Sequence, residues 1–252
     1  MRHTIVDAII LVLAAGLASD TTVAAHQEAF ARLVVVPALY RKQLAQVPWL
    51  ADFETRLYQR TQPGREDYVP NRADEAAVFM KYLLDRYYHL PEVVAFLQDD
   101  AGPDTVGRLQ CLRVGRDWGW TNLNEPASFF RNRRLDDFLG RANWAACYRR
   151  LAGDFQVPLP ATPVVNTYCC SEFAVTRTAV HRYSRAIYQS AYDTLVTSSE
   201  CNPGGGERGL GGWALEHLHH AIFGRSLAME PLSMEEMCER FRPACNFSSC
   251  SG

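Results

Sequence analysis

Two rhythms of apolar residues divide the first half of the chain. Leu33-Val34-Val35-Val36 and Val93-Val94-Ala95-Phe96-Leu97 are unbroken apolar runs, the pattern of strands buried on both faces of a sheet. Between them Ala76, Phe79, Met80, Leu83, Leu84 and Tyr87 recur at helical spacing, which predicts an amphipathic helix. Asn71 is its expected N-cap, Asp74 and Glu75 suit its first turn, and His89-Leu90-Pro91 stops it. Strand, helix and strand in that order predict a βαβ unit with parallel strands and a right-handed crossover. Thr55 to Gln59, ahead of the Pro63-Gly64 turn, is expected as a further short strand.

Farther along the pattern loosens. From Ala101 to about Pro163 the chain holds Trp118-Gly119-Trp120, Asn122, Asn124 and Trp144, interrupted by Pro126, Pro158, Pro160 and Pro163; loops and short helices are expected there rather than regular strands. Val164 to Val175 reads as one or two strands, Thr178 to about Thr197 as a helix, and Trp213 to Phe223 as a second helix with Gly224 as its C-terminal stop. Ser198 to Gly212 contains six glycines and suits either a slack surface loop or a mobile lid. The whole predicts one α/β domain over residues 30–230, with a mainly parallel central sheet flanked by helices and loops stapled by disulfides.

Composition changes this picture at the two ends. Arg2 and His3 lead into an apolar run from Ala8 to Ala18, too short for a comfortable membrane span and followed by small residues suited to cleavage. Residues 1–25 are therefore expected to be a secretory signal or an N-terminal anchor, although Asp7 beside the run opposes insertion. Eight cysteines, none in a C-x-x-C pair, fit disulfides in an oxidising compartment. Adjacent side chains in a strand point to opposite faces, so Cys169 and Cys170 are expected to bridge to distant partners rather than to each other. Residues 231–252 form a Cys-rich tail, where Asn246-Phe247-Ser248 is a glycosylation sequon. Secretory-pathway localisation follows. The formal charge of −2, with arginines scattered singly or in pairs such as Arg133-Arg134, supplies no basic field for nucleic acid.

The candidate chemistry gathers at strand ends and on the last helix. Val93 to Leu97 runs into Gln98, Asp99 and Asp100; ligands of α/β sheets collect at the carboxyl ends of strands, and hard divalent cations prefer oxygen ligands. The same acidic pair before Gly102-Pro103 also suits a solvated turn. On an unbroken helix Glu216 and His220 would be neighbours, as general base and as metal ligand or orienting group. Exposed indoles near Asn122 and Asn124 would make a sugar-binding wall; buried ones would be core. There is no H-E-x-x-H, no nucleophile elbow and no P-loop.

Val69-Pro70-Asn71 opening a helix with Glu75, Pro91-Glu92-Val93-Val94-Ala95-Phe96-Leu97-Gln98-Asp99, Cys169-Cys170-Ser171-Glu172-Phe173-Ala174-Val175-Thr176-Arg177 and Glu216-His217-Leu218-His219-His220-Ala221-Ile222-Phe223-Gly224 follow one another. In this order they resemble an uncharacterised domain-of-unknown-function family whose members look like glycosyltransferases of the GT-A type. Many members carry Gly-Arg-Glu shortly after the asparagine, where this chain has Ala73-Asp74-Glu75. The resemblance implies a GT-A-like fold, a nucleotide-sugar donor held with Mn or Mg by Asp99, Asp100 and His220, and donor-side contacts from Gln98, Asn71 and Glu75. It also implies Glu216 as base and a small-molecule or glycan acceptor. Two other readings stand beside it. One is a secreted, non-catalytic glycan- or protein-binding domain using Trp118 to Asn124; the other is a metal-dependent hydrolase using Glu216, His217 and His220.

Overall fold

The computed structural model describes residues 32–39, 46–98, 100–124, 129–134, 142–159, 164–203 and 210–243. The expected leader, the glycosylation sequon, Asp99 and the 204–209 part of the glycine-rich segment lie outside these residues.

Strand β1 (Leu33–Ala38), helix α1 (Asp74–Arg86) and strand β2 (Val93–Gln98) form the expected unit, with β1 and β2 in parallel register from Leu33↔Val93 to Ala38↔Gln98. Beyond β2 come α2 (Pro103–Cys111), β3 (Trp120–Asn122), β4 (Phe129–Arg134) and α3 (Ala142–Asp154). They are followed by β5 (Val164–Tyr168), β6 (Phe173–Thr176), α4 (Arg177–Val180) and α5 (Arg185–Thr197). The last described elements are α6 (Gly211–Glu216), α7 (His219–Ile222) and α8 (Met234–Arg240).

The central sheet has four strands in the order β1-β2-β6-β3. It is mixed rather than mainly parallel, because β6 enters antiparallel to both β2 and β3. The chain reverses within Cys169 to Glu172 after β5, a strand that pairs with β4 in a separate sheet, so β6 returns in the opposite direction. Val164 to Val175 is thus two strands in two sheets. The tryptophan-rich middle is more regular than its prolines suggest, with two strands and a thirteen-residue helix. Thr55 to Gln59, expected as a strand, makes only isolated bridges, Val35↔Thr55 and Gln59↔Tyr68.

Continuous apolar runs are explained by helices on both faces. Val34, Val36, Val94, Phe96, Phe173 and Val175 enter the larger core with Phe79, Met80 and Leu83 of α1 and Leu195 of α5. Val35, Val93, Ala95, Leu97 and Ala174 enter a second core with Leu109 of α2, Leu50, and Met237 and Phe241 around α8. Trp118, Trp120, Asn122 and Asn124 are all buried, and the Trp120 indole donates to His219 Nδ1 at 3.0 Å. These indoles are core. They form no exposed wall for sugars.

Cysteine pairing also departs from the expectation. Cys147 and Cys201 are bridged, joining α3 to the segment after α5, while Cys169 is bonded to its own neighbour Cys170. Strand alternation does not apply to the latter pair, because Cys170 (φ 75°) and Ser171 (φ 42°) take left-handed backbone and turn the chain. Cys111 and Cys238 are also disulfide-bonded. Among the described residues no helix is long and apolar enough to cross a membrane.

Candidate functional site

Parallel β1, β2 and β3 end at one edge of the sheet, where antiparallel β6 begins. The Cys169 to Glu172 turn sits at this edge. Asn124 donates through Nδ2 to Cys169 O, and Leu123 N donates to Glu172 O at 3.0 Å. Two groups of carboxyls flank the turn, one on each face.

On the α1 face lie Asp74, Glu75 and Glu216. Helix α1 starts through left-handed residues, Ala73 (φ 57°) and Asp74 (φ 46°), a conformation that costs an L-residue roughly 1–2 kcal/mol each. Asn71 is therefore not the N-cap; Ala73 occupies that position without a side-chain cap bond. Arg60 holds the segment instead, donating to Asn71 Oδ1 at 2.9 Å and to Asp74 O at 2.7 Å. Helix α6 packs against this start through two glycines. A methyl at Gly211 would lie 2.5 Å from Ala73 Cβ and 2.4 Å from Leu195 Cδ2. A methyl at Gly212 would lie 2.8 Å from Asp74 Cβ and 3.3 Å from Glu75 Oε1. Gly211→Ala should consequently destabilise the fold by about 1–3 kcal/mol through overpacking, read as a lower denaturant midpoint with unchanged slope.

Burial raises the Glu75 carboxyl to about 7, helped by the charges of Asp74 and Glu216 and opposed by backbone hydrogen bonding and by the Ser171 hydroxyl. Ser171 is fully buried, and its Oγ lies near that carboxyl without reaching strict hydrogen-bond geometry. Asp74 and Glu216 therefore act on this carboxyl through their charges, and both favour its protonated form. Trp213, from the first turn of α6, packs on Trp144 (4.7 Å between ring centroids) and on His217 (4.4 Å).

On the α2 face Glu172 accepts from Thr105 Oγ1 at 2.8 Å. Burial raises this carboxyl too to about 7, against the Thr105 bond and with the charge of Asp100 adding to the rise. Asp100 is exposed beside it, and Gln98 is the half-buried last residue of β2.

The expected helix from Trp213 to Phe223 is broken at His217-Leu218, between α6 and α7. The spacing that would join Glu216 to His220 is lost with it. Glu216 acts on Glu75, whereas His220 is buried, 3.5 Å from Thr167 Oγ1 through Nδ1 and 3.4 Å from Leu227 O through Nε2. Burial lowers His220 to about 4, and His219, stacked on Phe173 at 4.2 Å, falls well below the usual imidazole range for the same reason. Among the described residues no three His, Cys, Asp or Glu side chains are grouped to hold a metal ion.

A family model described as "Protein of unknown function (DUF3431)" matches residues 34–239. The chain belongs to this family. The search of curated proteins and that of solved structures each found no match. The DUF3431 match runs from β1 into α8, so both carboxyl groups and the turn between them lie inside the family domain. Ser171 and Glu172 carry only a faint mark of a site in the sequence. Their signal was a lone carboxylate between a cysteine pair and an apolar run.

Proposed function

We propose that this edge is the active cleft of a glycosyltransferase-like enzyme of the secretory pathway, acting by general base catalysis on an acceptor hydroxyl. The observation that carries the reading is Glu75, a carboxyl raised to about 7 on which the charge of Glu216 and the buried Ser171 hydroxyl both act. A carboxyl in that range exchanges a proton near neutral pH. Glu216 would accept the proton of the acceptor hydroxyl, with Glu75 sharing it. Asp100, with Asp99 next to it in sequence, would hold a divalent Mn or Mg ion and the diphosphate of a nucleotide-sugar, since oxygen donors suit such ions. Glu172 and Thr105 would support that side. When bound, the metal would offset charge on the leaving diphosphate. Disulfides at Cys111, Cys147, Cys201 and Cys238 support an oxidising compartment.

The test is thermal stabilisation by nucleoside diphosphates with and without Mn. A ligand that binds only the folded state raises the melting temperature, by about 2.7 kcal/mol of stability at a hundredfold excess over Kd. Asp99→Asn with Asp100→Asn should abolish the Mn-dependent shift, whereas Glu216→Gln should keep it. A parent protein that shows no shift, or an Asn double variant that keeps it, would sink this reading. In either case the binding-domain alternative would replace it.

A further inference from the structure

At the opposite edge of the sheet, beside the start of β1, a concavity of about 430 Å³ lies between the end of α2 and the segment following α8. We propose that it binds a small phosphomonoester with an apolar body, independently of the carboxyl cleft. The volume falls within the usual range for small-molecule sites. Leu33, Phe53, Leu109 and Val114 supply apolar wall, and four arginines, Arg32, Arg113, Arg116 and Arg242, line the same space.

Only one of these cations is offset. Arg32 pairs with Glu92 at 3.2 Å. Arg113 donates Nε to Phe241 O at 2.9 Å, which leaves its two terminal nitrogens, and Arg242 donates one terminal nitrogen to Gln110 O. Arg116 is exposed and has no hydrogen bond or ion pair among the described residues. Three guanidiniums therefore line one concavity without an ion pair among the described residues, Glu92 and Asp117 standing with Arg116 around an adjoining one. Like charges held together repel unless an anion joins them.

The local backbone places them. Gly115 has φ 89°, a backbone conformation that L side chains rarely adopt, so glycine makes the turn that carries Arg113 and Arg116 beside the Arg32–Glu92 pair. The guanidinium fork matches phosphate oxygens in two-bond geometry. A phosphomonoester brings three acceptor oxygens and nearly two charges, whereas a carboxylate brings two oxygens and one charge. The apolar wall requires more than the headgroup.

The full-length chain is titrated calorimetrically with hexyl phosphate, inorganic phosphate and 1-hexanol. Hexyl phosphate should bind, inorganic phosphate at least about tenfold more weakly, and hexanol not measurably, because both headgroup and body contribute. Arg113→Gln with Arg116→Gln should weaken hexyl phosphate by about a hundredfold, since each lost charged hydrogen bond is worth roughly a factor of ten. Arg116→Gln alone, at an exposed side chain, supplies the same sign of effect in a variant whose folding is not at issue. Glu216→Gln should leave the affinity unchanged, separating this site from the cleft. Equal binding of hexyl and inorganic phosphate, no binding of hexyl phosphate, or affinity indifferent to the arginine substitutions would overturn the proposal. Phosphatidylcholine vesicles containing phosphatidic acid should not retain the protein; retention removed by the double substitution would overturn the soluble ester in favour of a membrane headgroup.

Discussion

Glu75→Gln is expected to stabilise the protein at pH 8 and to remove turnover at the same time. The carboxyl is raised from 4.5 to about 7 in the folded chain, so the folded state holds its proton more tightly than the unfolded state. Its favourable contribution is complete below about pH 4.5 and is lost as pH rises through 7. Above that pH the folded protein carries an ionised carboxylate in an unfavourable place, at a cost of up to about 3 kcal/mol. Glutamine cannot ionise. The variant should melt with the parent at pH 4.5 and roughly 6 to 12 °C above it at pH 8, given about 2 to 4 °C per kcal/mol for a chain of this size. Glu216→Gln removes a neighbouring negative charge, so it should lower the apparent pKa of Glu75 and reproduce part of this gain. The two substitutions should not be additive, because the charge of Glu216 acts on Glu75. Under the proposed mechanism each should reduce turnover by about 10² to 10⁴, the usual worth of a positioned base. Melting curves that do not separate with pH would remove the physical basis for assigning Glu75 to the site.

Replacing Cys147 and Cys201 by serine should cost about 4 kcal/mol. Their bridge spans 54 residues of sequence, and closing a loop of that size removes that much conformational freedom from the unfolded chain on the loop-entropy estimate. Cys147 and Cys201 are both fully buried, so the hydroxyls would add a desolvation cost unless the site relaxes. Calorimetry should show a loss of at least 8 °C, roughly. Cys169→Ser with Cys170→Ser should behave differently. Adjacent residues enclose no loop of unfolded chain, so stability should fall by less than about 1 kcal/mol, while the left-handed turn that aims Ser171 at Glu75 is left without its covalent tie. The effect should appear as a changed pH dependence of melting, Glu75 being the reporter. A large loss of stability from the adjacent pair, or a negligible one from the distant pair, would contradict the bridging described here.

The acid limb has a different origin. His219 and His220 are buried with lowered pKa values; their contribution is complete above about pH 6.5 and, for His220, is lost as pH falls through about 4. Gains from protonating Glu75 and Glu172 therefore oppose losses from protonating the imidazoles across the weakly acidic range.

What was legible in the sequence was whatever depends on local period and composition. The βαβ unit followed from two continuous apolar runs around a helical repeat, because a strand covered on both faces needs no polar alternation. The disulfide chemistry followed from eight cysteines without metal spacing. Clustering of polar groups at the carboxyl edge followed from where β2 ends. The N-cap did not. Asn71 carries the right side chain, but Arg60, distant in sequence, takes its oxygen, and α1 begins three residues later through backbone that no propensity favours. The helix carrying Glu216 and His220 has unbroken apolar spacing, yet it breaks at His217-Leu218. One half is drawn under α1 by the close approach of Gly211 and Gly212; the other is fixed by burial of His219 between Trp120 and Phe173. The pairing of Cys169 with Cys170 depends on a turn between strands of two different sheets, and the meeting of Glu75 with Glu216 on the close packing of α6 against the start of α1. Local pattern decides which segments become strands and helices. Contacts between segments far apart in the chain decide which side chains meet at their ends, and nothing in the spacing of a single segment encodes those contacts.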